Sequence, residues 1–284
     1  MYTITGKRTL AKGVIEMTVH APRVAQNHKP GQFLMVMNDE QGERIPLTIA
    51  DSNPGKGEVT LVFLEVGRST VQLGEQFKEG DQLFAVVGPL GTPTHLKKFG
   101  TVVVMGGGLG VAPIYPICKG LREAGNRVVS IVGYRSRDLM FWQDRIAEVS
   151  DEVIVTTDDG SFGMKGFVTD ALQKLRDEGR PMDRIIAIGP PVMMRAVSDR
   201  TKPWGVSTWV SLNTIMVDGT GMCGGCRVHI GGESKFVCVD GPDFDAHQVD
   251  WDEMFARMRV YLAEERAALA ADHRCKIAFD ALRG

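Results

Sequence analysis

Three cysteines and one aspartate carry the most distinctive chemistry in this chain. Cys223 and Cys226 fall within the run DGTGMCGGC, and Cys238 follows after eleven intervening residues. Plant-type iron-sulfur sites space their ligands as Cys-x4-Cys-x2-Cys plus a distant cysteine. Laid on this sequence, the pattern puts Cys223, Cys226 and Cys238 in its second, third and fourth places and Asp218 in its first. A carboxylate oxygen can bind iron, and the glycines at 219, 221, 224 and 225 let the backbone wrap a cluster and aim N–H groups at its sulfides. The residues admit a second reading: Cys-x2-Cys with a third cysteine and either His229 or Asp218 could hold a structural zinc ion.

A second candidate is GGGLGVAP, residues 106 to 113, which follows the apolar run TVVVM and opens a helical stretch. A dinucleotide pyrophosphate can meet backbone N–H groups and the positive end of a helix at such a place. Gly107, Gly108, Gly110 and Pro113 are the residues expected to line it. A strict G-x-G-x-x-G fails, because the sixth position is Val111 or Pro113, and a plain tight turn is the competing reading. No Ser-His-Asp order and no H-E-x-x-H occurs, so general acid-base catalysis is not indicated. Cys118 reads as a core thiol, Cys275 as a tail residue at an interface, and Met193 and Met194 as core packing without a role.

These residues need elements to hold them. At 284 residues and 43% hydrophobic content the chain can bury two cores without disulfide staples. Residues 1 to 97 contain short alternating or β-branched runs such as VIEMTVHAP, IPLTIAD and EVTLVFLEV, bounded by turn residues, which predicts a small antiparallel barrel. Residues 98 to 209 alternate buried strands with helices, predicting βαβ units and a parallel sheet. Residues 210 to 250 form a glycine-rich lobe too small to fold without help. Residues 251 to 284 form a helical tail with an apolar set at Met254, Phe255, Met258, Tyr261 and Leu262. Thirty-three basic against thirty-five acidic residues argue against nucleic acid or an anionic membrane as the main partner. No run approaches the roughly 18 apolar residues of a membrane span, and MYTITGKRTLAKG lacks the apolar core of a signal peptide. The expectation is a cytoplasmic protein whose cysteines stay reduced and serve as metal ligands rather than disulfides.

A barrel followed by GGGLGVAP, TDDGSFGMKGFVTDAL and IGPPVMM resembles the ferredoxin reductase superfamily, over the whole chain except the helical tail. With its cysteine lobe, the chain is similar to the iron-sulfur electron-transfer subunits of dihydroorotate dehydrogenase. It is more similar still to the small subunit of the NADH-dependent ferredoxin:NADP oxidoreductases, whose pattern also has aspartate in the first ligand place. The resemblance implies FAD on the barrel and a nicotinamide nucleotide on the second domain. In it RIPLT, with Arg44, Pro46, Leu47 and Thr48, matches the motif that holds the flavin; Leu47 stands where the superfamily often has an aromatic residue. GRST, with Gly67, Ser69 and Thr70, and GPLG, with Gly88 and Gly91, match the segments that cradle the flavin pyrophosphate. Beside a flavin domain a 2Fe-2S cluster makes chemical sense and zinc does not, since a flavin can split a hydride pair into single electrons.

The implied activity is exchange of hydride with the nucleotide and one-electron delivery to a larger flavoprotein iron-sulfur subunit, of the glutamate synthase small-subunit type, within a bifurcating complex that also uses ferredoxin. The alternatives are the dihydroorotate dehydrogenase electron-transfer subunit and a zinc-stabilised module without catalysis. Asp158 and Asp159 in TTDDGS stand where relatives selective for NADP(H) offer a hydroxyl and an arginine, which favours NAD(H); Arg135 and Arg137 pull the other way.

Overall fold

Alternating side chains in the first ninety residues build a barrel. The computed structural model describes residues 2–281, with side chains described through residue 271. β1 (Tyr2–Ala11), β2 (Val14–His20), β3 (Phe33–Met37), β4 (Arg44–Asn53), β5 (Glu58–Leu64), β6 (Gln82–Leu83) and β7 (Ala85–Leu90) pair in the order β6-β1-β2-β5-β4-β3-β7, a near-closed antiparallel barrel. β1 is not among the expected strands. Its run carries Lys7 and Arg8 and shows little alternation, and its register comes from β2, from Ile4 opposite Val19 to Ala11 opposite Val14. Leu34, Val36, Leu47 and Ile49 fill the barrel together with Met17, Leu61 and Phe63. Two helices attach to it, α1 (Pro22–Asn27) and α2 (Arg68–Gln76).

The second layer set is doubly wound. β8 (Thr101–Gly107), β9 (Arg127–Tyr134), β10 (Glu152–Thr157), β11 (Met164–Lys165), β12 (Arg184–Ile188) and β13 (Thr208–Ser211) run parallel, connected through α3 (Val111–Glu123), α4 (Gln143–Glu148), α5 (Val168–Asp177) and α6 (Pro191–Thr201). The cysteine lobe adds the hairpin β14 (Arg227–Ile230) and β15 (Glu233–Phe236), the short α7 (Val237–Asp240), and β16 (Asp243–Asp245). β16 pairs antiparallel with β13, so the sheet reads β11-β10-β9-β8-β12-β13-β16 and the lobe supplies its edge. From β8 the successive strands are added first on the β9 side and then on the β12 side, which makes the carboxyl end of β8 the switch point of the sheet.

The domains are joined by packing and by charge. Val14, Ala50 and Val62 of the barrel share a core with α3 and β8. Trp142 Nε1 donates to Glu16 Oε2 at 2.8 Å, and the Arg145 guanidinium, ion-paired with Asp51, lies 4.1 Å from the Trp142 ring and 4.2 Å from the Tyr115 ring. The expected tail divides. α8 (Trp251–Met258) buries Trp251 and Met254 against the α/β core and the lobe, with Phe255 and Met258 half-buried beside them. Tyr261 and Leu262 stay exposed, and α9 (Leu262–Ala281) passes back across α2. The side chains of His273 and Cys275 lie outside the described residues. Among the described residues no helix is long and apolar enough to cross a membrane.

Candidate functional site

Asp218 organises the cysteine loop. Its Oδ2 accepts from Met222 N at 2.9 Å, Cys223 N at 3.2 Å and Thr220 Oγ1 at 2.9 Å, and its Oδ1 lies 3.2 Å from Cys223 Sγ. Desolvation favours its neutral form, yet the donors from Cys223, Thr220 and Met222 outweigh that and hold the carboxyl well below its ordinary value. Cys226 and Cys238 are buried with their sulfurs 3.2 Å apart, while Cys223 is exposed. Burial and the neighbouring Cys226 push the Cys238 thiol up to about 12, so a metal bound there must displace a proton.

The four side chains therefore form two pairs, Asp218 with Cys223 and Cys226 with Cys238. Among the described residues no three His, Cys, Asp or Glu side chains gather as a single-ion site. Two pairs suit a two-iron cluster, in which each iron takes two protein ligands, better than one tetrahedral zinc. His229 is engaged elsewhere: its Nδ1 lies 2.5 Å from Glu253 Oε2 on α8.

The cysteine loop leans on the barrel. A Cβ on Gly219 would stand 2.7 Å from Met35 Cγ and 3.0 Å from Leu90 Cδ1, so this position admits only glycine. Met35 is the register partner of Pro46, and Phe33 is that of Thr48. The alternation of β4 sends Leu47 into the barrel core and leaves Arg44, Pro46 and Thr48 on the opposite face, the one that looks toward the lobe. Gly219, next to Asp218, thus packs on Met35, the strand neighbour of Pro46 in RIPLT.

Arg44 is exposed at the start of β4. Next to it, Glu43 accepts a short hydrogen bond from Ser69, buried in the first turn of α2, and Asn38 Nδ2 donates to Ser69 O at 2.9 Å. Gly67 is the N-cap residue of α2, and Thr70 Oγ1 accepts from its N–H at 3.0 Å. Arg44, Gly67, Ser69 and Thr70 thereby meet in one region. Gly88 and Gly91 have packing reasons of their own: a Cβ would stand 2.8 Å from Leu34 Cβ at the first, and 3.0 Å from Gly241 O of the lobe at the second.

The nucleotide candidates line the carboxyl edge of the parallel sheet. Gly107, Gly108, Gly110 and Pro113 turn from β8 into α3 at the switch point. Gly110 packs backbone to backbone with β12, since a Cβ there would lie 2.1 Å from Ile188 O. Met193, given no role from sequence, fills the space beside Gly107, where a Cβ would come within 2.3 Å of its sulfur. Paired glycines at 107 and 189 were the available signal. Arg135, Asp158 and Asp159 follow β9 and β10; Asp158 N donates to Tyr134 O at 3.0 Å and Asp159 N to Arg135 O at 3.2 Å. Hydrogen bonds from Ser161 lower the pKa of Asp159, and Arg137 N donates to Ser161 Oγ at 2.8 Å.

Residues 213–250 match the iron-sulfur cluster binding domain of dihydroorotate dehydrogenase B, and residues 104–199 match the oxidoreductase NAD-binding domain. The dihydroorotate dehydrogenase B (NAD(+)) electron transfer subunit homolog of Thermotoga maritima is 47% identical over 263 residues, covering 93% of this chain and 92% of that protein. This chain belongs to the family of dihydroorotate dehydrogenase B electron-transfer subunits and their homologs. The family member from Geobacillus thermodenitrificans is 33% identical over 256 residues, 87% of this chain and 96% of that protein. The solved structure of an NADH-dependent reduced ferredoxin-NADP oxidoreductase, described for flavin-based electron bifurcation, is 45% identical with a TM-score of 0.90 over 95% of this chain and 97% of its own. A ferredoxin NADP+ reductase from Neisseria gonorrhoeae with bound FAD and NADP shares the fold alone, at 16% identity and a TM-score of 0.61 over 72% of this chain and 90% of that one.

Proposed function

We propose that this chain is an electron-transfer flavoprotein subunit that exchanges hydride with NAD(H) at FAD and passes single electrons through a 2Fe-2S cluster to a larger subunit. The observation that carries the reading is the contact of Gly219 with Met35, which sets the cysteine loop directly against the face of β3 and β4 that bears Pro46 and Thr48. FAD, when bound, converts a two-electron hydride into single electrons that the cluster can take. Arg44 and the first turn of α2 would hold its pyrophosphate by charge and backbone N–H groups. The turn from Gly107 to Pro113 would receive the nucleotide pyrophosphate, with Asp158 set against a 2'-phosphate. Asp218, Cys223, Cys226 and Cys238 would hold the cluster in two pairs.

Cys223 is the exposed ligand; Met222 precedes it, and Val217 and Val239 lie against Gly225 and Gly221 of the same loop, all three with exposed apolar side chains. That rim is the face through which electrons would leave toward the larger subunit, for which we favour a glutamate synthase small-subunit-like flavoprotein in a bifurcating NADH, NADPH and ferredoxin complex. A dihydroorotate dehydrogenase as partner is the second reading, favoured by the Geobacillus relative at 33% identity. The domain limits we propose are 1–97, 98–209, 210–250 and 251–284, with α8 packed on the third of these.

The test is purification of the native complex, with mass spectrometry of the partner and spectroscopy of the subunit. We expect a brown-yellow protein that NADH bleaches, with flavin, iron and sulfide bound. A colourless, zinc-loaded chain would sink the reading, and co-purification with a dihydroorotate-oxidising subunit would move it to the second.

A further inference from the structure

The segment between Cys223 and Cys226 has a contact from outside the cysteine lobe. Arg257, on α8, directs Nη2 to Gly225 O at 3.3 Å and to Gly224 O at 3.5 Å. These are the two residues between the cysteines, and α8 begins after the matched cluster-binding segment ends at residue 250. The peptide whose carbonyl is Gly224 O has Gly225 N at its other end, and Gly225 N donates to Cys223 Sγ at 3.4 Å. A line of polar groups therefore runs from the guanidinium through one peptide unit to the sulfur of the exposed cysteine. Arg257 Nε is buried and has no partner among the described residues, and the residue as a whole is half-buried beside the loop. Its helix is itself anchored there, by buried Trp251 and Met254 and by Glu253 against His229.

We infer that Arg257 is a positioning residue that raises the reduction potential of the cluster by polarising the Gly224–Gly225 peptide toward Cys223. The inference rests on the cluster assignment made above. Reduction adds one electron and one negative charge to the cluster, and cluster potential responds to net charge and to hydrogen bonds on the sulfurs. A guanidinium donating to a carbonyl makes the N–H of the same peptide a stronger donor, because hydrogen bonds in a chain polarise one another. Both effects favour the reduced form. Lysine at this position keeps the charge but replaces the planar guanidinium, whose Nη2 reaches both carbonyls, by a shorter and rotatable ammonium.

The experiment is a dithionite titration of the holoprotein with redox mediators, read by electron paramagnetic resonance, on the native chain and on Arg257→Gln, Arg257→Lys and Arg259→Gln. Arg259, exposed on the turn that follows α8, controls for net charge alone. At a fixed poise near the native midpoint, Arg257→Gln should change the reduced-to-oxidised ratio by about tenfold toward oxidised, about 59 mV for one electron. Arg257→Lys should lie between it and the native value, and Arg259→Gln should match native. Equal midpoints in native and Arg257→Gln overturn the inference, as does an equal fall in Arg259→Gln. If Arg257→Gln loses its iron, Arg257→Lys decides: an iron-loaded variant with a lowered midpoint supports the inference, whereas loss of iron to the same extent shows a structural clamp and overturns it. Absence of any 2Fe-2S signal in the native chain would instead remove the cluster assignment.

Discussion

The turn after β8 and the cysteine loop after β13 are both dense in glycine, and glycine serves different ends in them. In the turn, Gly110 lies under the carbonyl of Ile188, so two buried backbones touch and the sheet core holds the geometry. In the cysteine loop, Gly224 has a φ of 68° and a Cβ there would meet nothing nearer than 3.7 Å, so its task is conformation. What holds that loop is side chains, the carboxylate of Asp218 with donors from residues 220, 222 and 223 and the guanidinium of Arg257 at residues 224 and 225. A site made from packed backbone fails together with its domain. A site held by a few side chains can fail alone.

The sharpest way to break this contrast is Gly110→Ala, whose Cβ has only backbone to meet. We expect a cost on the order of 3 kcal/mol or more, seen as a lowered thermal midpoint or loss of soluble protein. An unchanged midpoint would show that the turn is as pliable as the loop. Next in size, Asp218→Ala removes charged hydrogen bonds worth roughly 1.5 to 3 kcal/mol locally. Iron content should fall while the melting of the sheet domains stays near native. Asp218→Cys should retain iron with an altered potential. A sheet that melts early in Asp218→Ala would show that the two regions are not separable.

Acid sharpens the comparison from the barrel side. His28 is half-buried with Nδ1 2.9 Å from Ser52 Oγ, and burial lowers its pKa from 6.5 to about 4, against the attraction of Asp51. Between those values the unfolded chain binds the proton and the folded chain does not, so stability is lost as pH falls through that window. The effect should be on the order of 2 kcal/mol, and His28→Gln should flatten it in urea melts at graded pH. A native melt that does not change over this window would remove His28 as the cause. The smallest effect is at the nucleotide edge. Asp158→Ser should relieve roughly 1 kcal/mol of repulsion toward a 2'-phosphate, raising kcat/KM for NADPH about fivefold with no change in melting. No gain with NADPH would place the 2'-position elsewhere.

Much of the framework is legible in the amino-acid order, because it depends on neighbours in the chain. Period-two runs such as VIEMTVHAP and the buried TVVVM entering a glycine turn are local patterns, and so is the ligand spacing from Asp218 to Cys238. β1 is not legible in this way because a weakly patterned strand takes its register from its partner. The packing reasons for Gly88 and Gly91 are hidden because Leu34 and Gly241 are distant in sequence.

By itself the sequence determined the barrel followed by a parallel sheet, the position of the glycine turn and the identity of the cluster candidates. Tertiary structure alone decided that the lobe lends β16 to the sheet edge, that Leu47 belongs to the barrel core while Pro46 and Thr48 face the lobe, and that α8 brings Arg257 to the cysteine loop. The physical reason is range. Backbone propensity and side-chain period act over a few residues, whereas a contact such as Arg257 with Gly225 forms only after two separate hydrophobic faces have been buried against the same core.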